Sequence, residues 1–325
     1  MPGVWLQRIP LEIRKAATVI AIAIVLASSF AAAYTVALGR PSPRNLPVGV
    51  VGSTALTAPF VNALHRNENE FDVHQYATRD EAVAAINQQR ITAAIDATAT
   101  PPELLLSSAS DPSGARALIQ LDQTQPGQFI LPIVDLHPLP PSDPAGLATF
   151  YLVIAATILG FITMFQLRAN IKTLSLRRWL VCLVVLAVVG GAALAVVTGP
   201  VLGALSTPFP QLWLLTSVQI AIAALFNSAM LVLIHRWAII PTWLVFILLG
   251  NTSSGGAVSA ALLPQPFAFF NHALPSGATV SAIHAATYFP DNQRLLPFVV
   301  LGVWLVASLV VLIVSSRALH RSPAQ

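Results

Sequence analysis

Pro241-Thr-Trp-Leu-Val-Phe-Ile-Leu-Leu249 runs into Gly250-Asn-Thr-Ser-Ser-Gly-Gly256, and the chain then turns apolar again through Leu262-Leu263. The first stretch has the composition of a membrane-buried helix. The second is polar and glycine-rich, where a spanning helix would be expected to continue. Freed backbone groups find no water in lipid, so such a break is tolerated only where protein buries it or a wet cavity lines it. The sequence therefore predicts an interrupted span here, and marks the break as the first place to look for function.

The rest of the chain has the composition that this reading needs. Of 325 residues, 55% are hydrophobic and only 9% are charged. Soluble domains carry roughly a quarter charged residues, so the chain falls in the membrane class. A spanning helix takes about 20 apolar residues. Six segments meet or approach that length: 16–38, 147–167, 179–199, 212–234, the broken 238–263, and 296–316. The fold class expected is an α-helical integral membrane protein of six transmembrane helices, the fifth broken or re-entrant. A small α/β extracytoplasmic domain separates the first helix from the second.

Charge orients the bundle. Arg8, Arg14, Lys15, Arg168, Lys172, Arg177, Arg178, Arg236, Arg317 and Arg321 all fall on one side, with Glu12 as the only acid there. The positive-inside rule makes that side cytoplasmic, so both termini are expected inside a cell (plasma) membrane. The other side receives the acid-rich segment 39–146 and a last loop with Asp291 and Arg294. The expected organisation is a cytoplasmic segment 1–15 with weak interfacial-helix character, a first span 16–38, the outer domain 39–146, five spans over 147–316, and a tail 317–325. Ala31-Ala32-Ala33 resembles a signal-peptide cleavage site. The apolar run before it is longer than a signal peptide uses, which favours an uncleaved anchor.

In the outer segment, Leu46-Pro-Val-Gly-Val-Val51 reads as a buried strand. Thr78-Arg-Asp-Glu81 is a capping box that opens a helix. Ile91–Ile95 and Glu103–Ser107 read as further strands, Pro112 begins another helix, and a proline-rich linker leads back to the membrane.

Candidate chemistry is sparse. The Gly250 to Gly255 spacing is that of a phosphate loop, but Gly256-Ala257 replaces the required Lys-Ser/Thr. No catalytic motif, metal-ligand pattern or cofactor fingerprint is found, so the chain is read as a non-enzyme with no cofactor of its own. His272 and His284 are placed in the last outer loop without an acid or cysteine at ligand spacing. The single Cys182 excludes a disulfide. No charge lies within a span, which argues against an ion relay; any transport would draw energy from a partner. The basic residues do not cluster in a soluble domain, so nucleic acid is not an expected partner. Gln219 and Asn227 in the fourth span are candidates either for a polar pathway or for hydrogen bonds between helices. Gly190, Gly191 and Ala195 form a small-residue pattern suited to packing, within the chain or between subunits.

The whole layout resembles permeases of the type-2 ABC exporter family (ABC-2 type transporters), in the YhgE or phage infection protein branch. The residues that carry the resemblance are Leu46–Val51, Asp80–Ile86, and Gly250–Gly256 followed by Leu263-Pro264 and Leu274-Pro275. The resemblance implies a permease subunit that pairs as a homodimer or with a paralogous permease. A separate ABC ATPase would supply ATP-driven energy for export of a hydrophobic or amphipathic compound. The break then gives a candidate gate or pathway at Gly250, Asn251, Thr252, Ser253, Ser254, Gly255, Gly256, Pro264, Pro266 and Pro275. The charge map gives candidate ATPase docking at Arg168, Lys172, Arg177 and Arg178, with plain positive-inside topology as the alternative. The outer segment is short beside the long coiled-coil insertions of phage-receptor relatives, which sets this chain apart from that role. The competing reading is a non-transport receptor or accessory protein that displays its outer domain.

Overall fold

The computed structural model describes residues 10–39, 41–65, 70–124, 131–171 and 173–321. Lys172 and most of the proposed interfacial segment lie outside the described residues.

Helix α1 (Leu11–Leu38) is followed by the α/β domain, with strands β1 (Leu46–Val51), β2 (Phe71–Tyr76), β3 (Ala93–Asp96), β4 (Glu103–Leu106) and β5 (Ile133–Asp135). Helices α2 (Thr54–His65), α3 (Arg79–Asn87) and α4 (Pro112–Thr124) connect them. The sheet order is β2-β1-β3-β4-β5. β1 pairs in parallel with both β2 and β3, β4 runs antiparallel to β3, and β5 is parallel to β4. β1 is central and nearly all of its residues are buried, which explains its uninterrupted apolar sequence. Thr78 caps α3 by accepting the Glu81 N–H, and Glu81 reaches back to the Ala77 N–H. These bonds satisfy donors that a helix start leaves orphaned.

Five helical runs are long and apolar enough to cross a membrane: Leu11–Leu38, Ala148–Asn170, Leu176–Val201, Phe209–Asn251 and Leu296–Ala318. The fourth run is 43 residues long, about twice what a bilayer needs. It is not one rod. His235 takes φ 55° after α7 (Phe209–Ile234), and the chain doubles back through α8 (Ile239–Thr242) and a π-helical stretch, Trp243–Asn251. The Phe226 and Phe246 rings lie 5.5 Å apart, which only a reversal permits.

α7 is the hub of the bundle. It packs against α5 (Ala148–Asn170), α6 (Leu176–Val196), α10 (Pro275–Tyr288) and α11 (Leu296–Arg321). It is apolar all round, as a helix enclosed by others must be. Small residues let its neighbours approach. A Cβ on Gly160 would sit 2.5 Å from the Ile220 carbonyl oxygen, and one on Gly191 only 2.1 Å from the Ser217 hydroxyl. The small-residue pattern at Gly191 and Ala195 thus packs inside the chain, not against another subunit.

Two differences from the sequence expectation stand out. The apolar residues after the break do not resume a span; Ala260–Leu262 form a single 3-10 turn. Residues 275–288, read as part of an outer loop, form the buried helix α10, reached through the short α9 (Phe267–Ala273). His284 therefore sits on a helix packed in the bundle, while His272 is exposed at the end of α9.

Candidate functional site

The break is fully enclosed. Asn251, Thr252, Ser253 and Ser254 are each at most 3% exposed. The π-helical stretch before it is nine residues long; π-helical geometry is mostly confined to single turns and is frequent at functional sites. The helix then ends, and local bonds take up most of the released backbone groups. The Thr252 hydroxyl donates to the Leu248 and Leu249 carbonyls, and the Ser254 hydroxyl to the Asn251 carbonyl at 2.9 Å. Gly256 N–H donates to the Ser254 hydroxyl at 3.3 Å. The Asn271 amide on α9 donates to the Ser253 carbonyl at 2.8 Å.

Glycine is required where the backbones meet. Gly255 has φ 77°, and a Cβ there would lie 2.8 Å from Asn271 Nδ2. At Gly277, a Cβ would fall 2.1 Å from the Asn271 carbonyl oxygen. Gly250 lies against Ser276, and Gly256 against Phe150. The prolines frame the return path. Pro264 is half-buried, Pro266 is exposed before α9, and Pro275 is the buried first residue of α10.

Three side-chain oxygens in this segment have no hydrogen-bond partner although they are buried: Asn251 Oδ1, Ser253 Oγ and Ser276 Oγ. The start of α10 also has no side-chain cap. Each unpaired buried polar group costs about 1–3 kcal/mol. Their concentration where two helices end sets this segment apart from the rest of the bundle.

The second polar region runs along α7; its two amides are paired, while the Ser217 hydroxyl beside Gln219 has no partner. Gln219 donates to Thr157 at 2.8 Å and accepts from Thr279 at 2.8 Å, tying α5, α7 and α10 together. Asn227 donates to the Phe161 carbonyl at 3.0 Å and accepts from Thr242 at 3.2 Å. The Trp179 indole donates to Ser228 at 2.9 Å. Thr216 bonds within its own helix.

The α/β domain sits on the break. Arg44 N–H donates to the Ala261 carbonyl at 2.9 Å, and Ser259 N–H to the Ser113 hydroxyl at 2.8 Å. Ala261 packs against the core of the domain. Beside this contact Asp111 is buried, and burial pushes its carboxyl above the usual range, opposed by bonds from Gly114 N–H, Ser259 and Ser113 and by the charge of Arg116. Ala37 at the end of α1 packs with Val258, Leu262, Leu263 and Phe267. Two further contacts fix the domain's tilt. Arg294 donates to the carbonyls of Gln88 and Gln89, and Ser142 to the Gly203 carbonyl at 2.5 Å.

The opposite end of the bundle is basic. The helical run that α6 begins ends at Val201, just before Gly203 beside the domain, so the start of α6 is roughly 35 Å away. There Arg168, Arg177 and Arg178 are exposed. Arg168 shares a cavity with His235, Arg177 shares one with Arg317, and Lys15 shares one with Arg236. Among the described residues no cluster of three or more His, Cys, Asp or Glu has metal-binding geometry.

Sequence reasoning missed Asn271, the residue that holds the break. Its signal was a lone amide after Phe267-Ala-Phe-Phe270. It also missed Ser276 and Thr279, because the helix carrying them was taken as loop. No family model, no curated protein and no solved structure matches the chain.

Proposed function

We propose that this chain is the membrane permease subunit of an ATP-driven export system for a hydrophobic or amphipathic compound, energised by a separate ATPase. The observation that carries this reading is the enclosed break with its three unpaired oxygens, seated directly under the α/β domain. Buried polar groups without partners are costly, and such groups in a bundle suit a segment that exchanges protein contacts for water or substrate in another state. The domain would then act as a lid whose position is tied to the break through Ser113–Ser259 and Arg44–Ala261.

In this reading the chain crosses a plasma membrane six times: α7 supplies the fourth crossing, and the short return limb, residues 239–251, completes the fifth together with the buried α10. Both termini are cytoplasmic and the α/β domain is outside, because the basic end of the bundle faces the cytoplasm. Arg168, Arg177 and Arg178, with Lys172, form the docking face for the ATPase. α1 buries only Ala37 within the chain, which leaves a long apolar face suited to a second permease, identical or paralogous. The layout fits the type-2 ABC exporter resemblance. The absence of charge in the spans supports a drive supplied from outside the bundle.

Affinity purification of the tagged chain from its native membrane in mild detergent tests the reading. We expect an ABC-type ATPase to co-purify and to be released by the triple substitution Arg168→Gln, Arg177→Gln, Arg178→Gln. A chain recovered without any nucleotide hydrolase, while retaining other outer-surface proteins, would favour a display or receptor role instead.

A further inference from the structure

We infer that the groove between α6 and α11 at the basic end of the bundle is a binding site for one anionic phospholipid. The groove runs from Leu176 to Val185 on α6, with Ile313 across it on α11, and encloses about 520 Å³. Its long wall is apolar and open: Val181, Val184 and Val185 are each more than half exposed. Arg177 and Arg317 close one end. Neither guanidinium forms an ion pair with an acid among the described residues.

Three properties select the occupant. The first is length. Leu176 to Val185 spans roughly 13 Å of helix axis, close to the roughly 15 Å that one leaflet contributes to a 30 Å hydrocarbon core. An acyl chain of a single leaflet fits that run. The second is charge. Two cations sit where that chain's phosphate would lie, at the end where other basic residues also gather, and basic pockets between transmembrane helices suit anionic head groups. The third is local backbone polarity. Arg177 is the second residue of α6, whose first turn, capped by Ser175 at the Arg178 N–H, presents the positive end of the helix dipole. A neutral phosphatidylcholine would satisfy the apolar wall but leave the two guanidiniums facing a head group with no net charge. The inference needs the bundle to be membrane-embedded. It does not need the chain to be a transporter, so either can fail alone.

Native mass spectrometry of the full chain, released from detergent after equilibration with phosphatidylglycerol or phosphatidylcholine, reads the site directly. We expect one tightly retained phosphatidylglycerol per chain and no comparable phosphatidylcholine. Each basic residue near an anionic surface contributes about five-fold in affinity, so Arg177→Gln with Arg317→Gln should weaken retention about thirty-fold. The Arg177→Lys, Arg317→Lys pair should keep most of it. Val184→Trp, which fills the groove without touching charge, should also displace the lipid. Equal retention of both lipids, unchanged retention in the double glutamine variant, or disulfide-linked dimers through Val184→Cys would overturn the inference. The last result would show that a second copy covers the groove.

Discussion

The bundle holds two buried polar regions, and they differ in one respect. Around Gln219 and Asn227 each amide reaches partners on other helices at both ends. Around Asn251, Ser253 and Ser276, each side chain keeps an oxygen with none. Both regions are equally dry, so burial does not separate them. Pairing does. A fully paired network between helices holds them in one arrangement, whereas an unpaired one leaves free energy to be gained by moving or by admitting water. Under the proposed function, the first region is the fixed frame of the bundle and the second is the part that changes.

That contrast can be broken at several points. The largest effect is expected from Gly277→Ala. Its new Cβ would overlap the Asn271 backbone oxygen at 2.1 Å, and the peptide oxygen cannot rotate away as a side chain can. Thermal unfolding in detergent should show a loss of about 3 kcal/mol. Gln219→Leu comes next. It leaves Thr157 and Thr279 without their shared partner in the core, for a loss of about 2 kcal/mol by the same measurement.

A smaller effect concerns the lid contact. Burial raises the Asp111 carboxyl pKa in the folded protein. A raised folded value means that the group favours folding most in acid, and that this contribution is lost as pH rises through that value. Asp111→Asn keeps an acceptor for the Gly114 N–H, which now donates at 2.7 Å, and carries no charge. The variant should therefore gain on the wild type as pH rises from about 4 towards 7, starting near the ordinary carboxylate value. Melting curves of the two proteins across that range check it, and a variant that loses ground on the wild type as pH rises would contradict the assignment.

The smallest effect separates the two regions most sharply. Ser253→Ala and Ser276→Ala remove hydroxyls that have no partner, so their stability should stay within about 0.5 kcal/mol of wild type or rise. Under the proposed function export should nevertheless fall, because the break would lose the groups it offers to water or substrate. A loss of stability as large as that of Gln219→Leu would show that the two regions are alike.

Much of the frame was legible in the sequence. Apolar length located the five long apolar helical runs, though it divided the fourth into two spans, and the Thr78–Glu81 capping box and the Leu46–Val51 strand placed the core of the α/β domain. What stayed hidden had physical reasons. Strand β2 reads Phe-Asp-Val-His-Gln-Tyr at the sheet edge, where alternating polar residues dilute a strand signal. α10 is only 14 residues long, and Ser276, Thr279, Ser281, His284 and Thr287 lower its hydropathy. Of these, Thr279 bonds to Gln219 and Thr287 to Thr207 across the bundle, so their polarity is matched by partners that are distant in sequence. The reversal at His235 rests on a positive φ at a residue other than glycine, which no local pattern announces. The break was visible as composition, but its pairing through Asn271 was not.

Cysteine accessibility in intact cells tests the central claim most directly. In a Cys182→Ser background the chain has no other cysteine, so Ser276→Cys and Thr279→Cys can be compared one at a time. The two positions lie about one turn apart on α10. Under the proposed export function, we expect a small, membrane-impermeant thiol reagent added outside energised cells to modify the cysteine at position 276 and to leave the one at 279 unreacted. Equal reaction at both positions, or none at either, would contradict a gate at the break.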